Sequence, residues 1–374
     1  MNRAAVLVIG GGVSGVSIAY ELSRYVPVTL LETESALAYH TSGRSLATFV
    51  ESYGPAAVRA LTQASRPFFE DPPTRVDSPL FSPLGLLLVA GQGEGDDLVD
   101  FHASVLDHAP RARLVPAAEV LEINPVLAPG HSELGMFDPA TTEIDVHELQ
   151  QGYIRGLRAN GGAIHKNAKV VEARREAGAW VVTDACGTTY TAESVVNAAG
   201  AWADEVAAVF GVRPVGIRPL RRSAFMVKAP AGVRARGIPL TGSLDHSWHF
   251  MPQGEMFACS PAEETLQPPS DAKPDELEIA RAIDDLNEAT VLRIRGISSP
   301  WAGLRTFVAD GLPVVGADGA DESFFWYAAQ GGYGMQLAPA MSQLAAADLL
   351  GIAETEELAS LGDTLRELSP TRLR

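Results

Sequence analysis

An apolar run, Ala5-Val6-Leu7-Val8-Ile9, breaks directly into Gly10-Gly11-Gly12-Val13-Ser14-Gly15. A short continuous run rich in β-branched residues reads as a parallel strand buried on both faces. Gly10, Gly12 and Gly15 satisfy the G-x-G-x-x-G pattern, and Ser14 to Arg24 follows with helical spacing. That spacing turns Val13, Val16, Ala19 or Tyr20, and Leu22 inward. Pro27 closes the segment, and a second strand, Val28-Thr29-Leu30-Leu31, ends in Glu32. In such a unit Gly10 permits the tight turn, Gly12 lets a pyrophosphate approach the backbone, and Gly15 lets the helix lie close to the strands. The N–H groups at the helix start, around Val13 and Ser14, are free to hold the diphosphate. Glu32 lies about 20 residues beyond the first glycine, where an acid accepts hydrogen bonds from a ribose 2′-hydroxyl. The glycine pattern alone is weak evidence. Within a complete strand–turn–helix–strand unit ending in an acid it is specific for a dinucleotide, but not for one dinucleotide over another.

The chain has 374 residues, enough for about two domains. It carries 29 Lys plus Arg against 46 Asp plus Glu, a formal charge of −17. That surface repels phosphate backbones and anionic lipid, so nucleic acid and membrane surfaces are excluded as expected partners. With only Cys186 and Cys259, neither a disulfide framework nor a cysteine-rich metal site is expected, and a reducing, cytoplasmic setting fits. No run of about twenty apolar residues suggests a membrane span, and Ala4–Ile9 is too short for the core of a signal peptide.

Three later segments narrow the reading. Tyr39-His40-Thr41-Ser42-Gly43-Arg44-Ser45-Leu46 follows closely on Glu32. Ser194-Val195-Val196-Asn197-Ala198-Ala199-Gly200-Ala201-Trp202 is a strand breaking at small residues into a helix, with Ala168-Lys169-Val170-Val171 upstream of it. Near the C-terminus stand Trp301–Phe307, Asp310–Gly316 and Ala329-Gln330-Gly331-Gly332-Tyr333-Gly334-Met335-Gln336. With these motifs in this order the chain resembles the flavin-dependent D-amino-acid oxidase family. That family includes glycine oxidase, sarcosine oxidase and bacterial D-amino-acid dehydrogenases, and the D-arginine dehydrogenase type looks most similar. The resemblance runs from Val6 to about Leu344.

The resemblance implies FAD as cofactor. Thr41, Ser42, Gly43, Arg44 and Ser45 would run past the pyrophosphate and the edge of the ring, and the backbone of Lys169, Val170 and Val171 would hold the adenine. Ala199, Gly200 and Trp202 would approach the cofactor. Gly303 and Arg305, with Gly331, Gly332, Tyr333, Gly334, Met335 and Gln336, would surround its ring, the last helix pointing its N-terminus at the pyrimidine end. Covalently flavinylated sarcosine oxidases need a cysteine soon after the Asp-Gly-Leu-Pro segment. Gly316-Ala317-Asp318-Gly319 has none, which implies non-covalent FAD. The implied fold is mixed α/β: a discontinuous Rossmann-like FAD domain from 1–80, 141–212 and 303–374, and a substrate domain on a mixed or antiparallel sheet from 81–140 and 213–302. Phe81–Ala90, Arg222–Lys228 and Trp248–Ser260 have strand composition, and Pro261–Asp275 reads as an exposed loop. The residues past Gly351 read as a surface helix and a frayed basic tail.

The implied chemistry moves a hydride from the α-carbon of an amino acid to the flavin. Arg222 and Arg305 match the family's carboxylate-binding positions, where a planar fork holds a carboxylate with two parallel hydrogen bonds. Arg221 is the expected solvent-facing neighbour. Tyr53 matches an aromatic residue that covers the substrate. Thr48 stands where a histidine is expected, His249 where a tyrosine is expected, and Leu86 where an acid would hold a guanidinium. Thr48, Leu86, Gly332 and Tyr333 are therefore read as the substrate pocket, and an apolar Leu86 argues for a neutral D-amino acid over D-arginine. Three alternatives stay open: a glycine- or sarcosine-type amine oxidase, an NAD-dependent dehydrogenase, which the three later motifs disfavour, and a non-catalytic flavoprotein. The electron acceptor (a quinone, another acceptor or oxygen) is not legible.

Overall fold

In the computed structural model, which describes residues 2–355 and 358–374, the N-terminal unit forms as its sequence requires. The strand Asn2–Ile9 lies parallel between Val28–Leu31 and Thr189–Asn197. Phe324–Ala328 adds beyond the latter and Ala163–His165 beyond the former, in an eight-stranded sheet. Side chains alternate along the first strand, so its apolar run feeds two cores. Val6 and Val8 join the cluster of the helices Val13–Ser23 and Gly334–Leu350, while Leu7 and Ile9 join that of Trp180, Phe210 and Trp326.

A second, mixed sheet of nine strands is organised on the long strand Arg218–Lys228. It pairs antiparallel with Ser298–Phe307 on one edge and with Met256–Ser260 and Thr265–Leu266 on the other. His249–Gln253, Leu240–Ser243, Leu86–Ala90, Leu134–Asp138 and Arg113–Pro116 continue the sheet. Phe225, Val227, Phe257 and Cys259 face the helix Glu276–Ala289. The period of two turns Arg222 and Ala224 to the opposite face. The expected cut at 302/303 falls inside the continuous strand Ser298–Phe307, which belongs to this second sheet. A small sheet of Thr48–Phe49, Phe81–Pro83 and Thr142–Ile144 likewise straddles the cut at 80/81.

Two expectations need correction. The C-terminal tail is not frayed: Arg372 donates to Asp310 at 2.7 Å and to the carbonyls of Leu312 and Pro313, and Arg374 pairs with the buried Asp318. Its basic residues find acids on the strand-bearing segment 310–318, which the sequence offers no means of pairing. Pro261–Asp275 is largely irregular, as expected, but the pair Thr265–Leu266 stitches it to Leu220 and Arg221. No helix among the described residues is long and apolar enough to cross a membrane.

Candidate active site

A cavity of about 520 Å³ runs from the glycine turn to the inner face of the second sheet. At its first end Gly10 sits at φ +109°, and a Cβ there would lie 2.4 Å from the Ala198 carbonyl oxygen. A Cβ on Gly15 would lie 1.8 Å from the Gly10 oxygen, so these two glycines are required by the turn and by helix–strand contact. Gly12 differs. Its φ of −72° suits any residue, and its nearest neighbour would be Ser42 Oγ at 3.1 Å, so its Cβ position faces the cavity. Ser42 Oγ accepts from the Val13 N–H at 2.9 Å, and Glu32 accepts from the N–H groups of Gly11 (2.6 Å) and Glu34 (2.8 Å). These bonds hold Glu32 rigidly on the cavity wall.

The neighbouring segments separate into residues that line the cavity and residues that shape it. Thr41, Ser42, Arg44, Ser45, Lys169, Val170, Ala199, Gly200 and Trp202 line it. Gly43 closes a turn against the Ala38 carbonyl, where a Cβ would come within 2.2 Å. Val171 is 49% exposed and does not line the cavity, because it is the extra residue where the strand bulges between the paired Val170 and Glu172. Arg44 is not free for a phosphate. It pairs with Asp271 at 2.5 Å and donates to the carbonyls of Ala272 and Ala302, tying the loop Pro261–Asp275 over this part of the wall.

At the far end, strand register brings the predicted arginines together. Arg222 pairs with Gly303 and Leu220 with Arg305, which sets the two guanidinium-bearing residues diagonally on one face. The same face continues through Ala224, Ser260 and His249, and all five residues line the cavity. Arg305 donates to the Tyr53 hydroxyl at 3.2 Å. A Cβ on Gly332 would lie 3.0 Å from the Arg305 guanidinium and 3.1 Å from the Tyr53 oxygen. Glycine is thus the residue that leaves room above them. Thr48 lines the same end. No carboxylate among the described residues pairs with Arg305, whereas Arg222 donates to Glu264 at 2.9 Å and keeps its buried Nε without a partner. Burial and the charge of Arg305 bring Arg222 down to about 10, which leaves it charged at neutral pH. Burial, then Arg222, Arg305 and His246, bring His249 down to about 3, so its imidazole is neutral.

Three further residues do not stand where the sequence put them. Leu86 is 6% exposed, does not line the cavity, and packs in a cluster with Val50, Leu88 and Met136. All five residues of its strand are buried, so its apolar character serves the core. Tyr333 turns its ring onto Tyr53, 5.0 Å away, and onto Phe307, leaving Gly331, Gly332, Gly334, Met335 and Gln336 on the cavity wall. Arg221 is not solvent-facing: its side chain is 14% exposed and pairs with Asp275 at 2.7 Å and Glu263 at 3.6 Å. The sequence reading missed Ala224, Ser260, Gln330 and Glu264. Ala224 was reachable, since it lies two residues from Arg222 on a strand.

These features fit FAD. A glycine cradle and a rigid acid serve the nucleotide half, and the helix Gly334–Leu350 opens its N-terminus at the ring half. Beside that terminus the buried Gln330 lines the cavity with both amide atoms unpartnered among the described residues, ready for a ligand's donors and acceptors.

Comparison with known proteins agrees. The chain is 24% identical to glycine oxidase of Geobacillus kaustophilus over 370 residues, covering 95% of this chain and 94% of that one. It is 25% identical to human mitochondrial dimethylglycine dehydrogenase over 89% of this chain, but spans only 41% of that longer protein. Among solved structures, L-alpha-glycerophosphate oxidase from Mycoplasma pneumoniae with FAD bound superposes with a TM-score of 0.85, at 19% identity over 94% of this chain and 95% of that one. The model of the DAO family, FAD dependent oxidoreductases, matches residues 5–348. The chain belongs to the DAO family of FAD dependent oxidoreductases.

Proposed function

We propose that this flavoenzyme oxidises neutral D-amino acids to imino acids. The observation that carries the reading is the half-buried Arg305 guanidinium, free of any carboxylate among the described residues and aimed with the Tyr53 hydroxyl into the ring end of the cavity. A substrate carboxylate supplies the missing anion. The acids lining the cavity (Glu32, Glu34 and Glu205) belong to its nucleotide half, so nothing lining the substrate end pairs a cationic side chain. This replaces Leu86 as the support for a neutral substrate. The D configuration rests on the likeness of Tyr53, Arg222 and Arg305 to the D-arginine dehydrogenase type.

Bound FAD supplies an acceptor for the hydride that leaves the α-carbon. Arg305 and Tyr53 fix the carboxylate and so the direction in which that C–H points. The amine must be neutral, so that its lone pair forms the C=N bond as the hydride leaves. The neutral His249 brings no charge of its own to this end of the cavity. The apolar wall of Ala224 and Trp301 limits the water that reaches the reacting carbon.

The test is an anaerobic flavin-bleaching screen over D- and L-amino acids, glycine and N-methyl amino acids. D-Leu, D-Met or D-Phe should bleach fastest. Because His249 is held neutral well below pH 6, the preference for D-Leu over D-Arg should stay flat from about pH 6 to 9. A switch in preference near pH 6.5 would mean that His249 titrates normally. A second reading, a glycine-type oxidase, has the near full-length likeness to glycine oxidase behind it. Fastest bleaching by glycine or sarcosine would establish it and remove the first.

We also propose that the flavin is held non-covalently. Cys259 is buried on the helix side of the second sheet, and Cys186 does not line the cavity. Neither cysteine can reach the flavin, and acid precipitation, which also reads out any link to the cavity-lining His40 or His249, should release all the flavin into the supernatant. Yellow colour retained in the pellet refutes this.

A further inference from the structure

We infer that Glu264 sets the charge of the carboxylate site, restricting it to substrates with one carboxylate. The inference rests on the reading that the Arg222–Arg305 end receives an amino acid. Two guanidinium groups face this end of the cavity, yet an α-carboxylate brings a single negative charge. Glu264 supplies the second, at 2.9 Å from Arg222 Nη2. Its position is built into the sheet. The pairing of Leu220 with Leu266 and of Arg221 with Thr265 brings the preceding residue, Glu264, alongside Arg222. Glu263 acts on Arg222 only at a distance through its charge, because it accepts from the Ser223 N–H at 2.7 Å and lies beside Arg221, whereas Glu264 makes the direct contact. Glu264 is itself exposed and does not line the cavity, so it acts through Arg222 as a positioning residue. It leaves the buried Nε of Arg222 available to the bound carboxylate. A ligand with a second carboxylate meets an arginine that is already neutralised and an anion beside it, which is discrimination by like charge.

The experiment titrates the FAD-loaded protein with acetate and with malonate, following the perturbation of the oxidised flavin's absorbance. Neither ligand can be oxidised as an amine, so the readout is binding. Glu264→Gln should strengthen malonate relative to acetate by roughly tenfold, the effect of unmasking one partly desolvated charge. Asp271→Asn, which loosens the same loop at Arg44 and leaves Arg222 paired, should keep the wild-type ratio. In turnover, Glu264→Gln should likewise raise kcat/KM for D-aspartate relative to D-leucine. An unmoved malonate-to-acetate ratio, an equal shift in Asp271→Asn, or no malonate perturbation at all in Glu264→Gln overturns the inference. The two readings separate cleanly. Normal bleaching by D-leucine with an unmoved ratio sinks only the role of Glu264. A shifted ratio with no bleaching by any amino acid sinks only the substrate.

Discussion

A Gly12→Val protein should purify folded and colourless. The backbone at Gly12 is extended, with φ −72° and ψ −179°, a conformation any L-residue adopts without strain. A Cβ there touches only Ser42 Oγ at 3.1 Å, so the protein interior tolerates the side chain. The valine methyls instead enter the path along which a diphosphate must lie on the backbone. Gly10 and Gly15 give no such separation, because a Cβ at either position strikes a backbone oxygen within 2.4 Å. Their substitution should cost the fold as well as the flavin. The measurement is flavin absorbance per chain together with a thermal melt, compared with wild-type apoprotein. A yellow Gly12→Val protein with full flavin content refutes the assignment of Gly12 to the cofactor.

The nucleotide half was legible because its constraints are local. A strand, a turn needing glycine, a helix and an acid lie within one short stretch, and each residue's task follows from backbone geometry. Gly10 and Gly15 stand at the tight turn and the helix–strand contact that their spacing implied, and Gly12 and Glu32 line the cavity. Arg44 shows where locality ends. Its neighbours suggested a phosphate, but its partner Asp271 comes from a loop more than two hundred residues away. A carboxylate that arrives through tertiary structure outcompetes the ligand proposed from adjacent residues.

The substrate half was half legible for a related reason. Arg222 and Arg305 were singled out by motif, and only the register between Arg218–Lys228 and Ser298–Phe307 puts them on one face. Leu86 was misplaced because alignment to a family pattern says which strand a residue occupies more reliably than which wall it faces. Its strand is buried on both sides, so an apolar residue there says nothing about the substrate. Glu264 was invisible for the opposite reason. It lies in an acidic, proline-containing loop that reads as solvated, and only the two-residue pairing at Thr265–Leu266 brings it to Arg222.

Arg305→Met should lower kcat/KM by about 2–4 kcal/mol, the usual cost of losing a hydrogen-bonded charge from a desolvated contact. That is roughly thirtyfold to a thousandfold in rate at low substrate. Among the described residues Arg305 has only the Tyr53 hydroxyl as a side-chain partner, and it sits beside the charge of Arg222, so in the empty site it is held against like-charge repulsion. Methionine keeps much of the volume and removes that repulsion. The melting temperature should therefore stay level or rise while activity falls, and flavin content should be unchanged, since Gly12, Ser42 and Glu32 are untouched. This opposite movement of stability and activity distinguishes a substrate-binding arginine from a structural one, whose loss would lower both. If the carboxylate is its target, the loss should be shared by every amino acid that bleaches the flavin. Normal turnover in Arg305→Met would place the substrate carboxylate elsewhere. A melting temperature that drops along with activity would make Arg305 a strut of the second sheet.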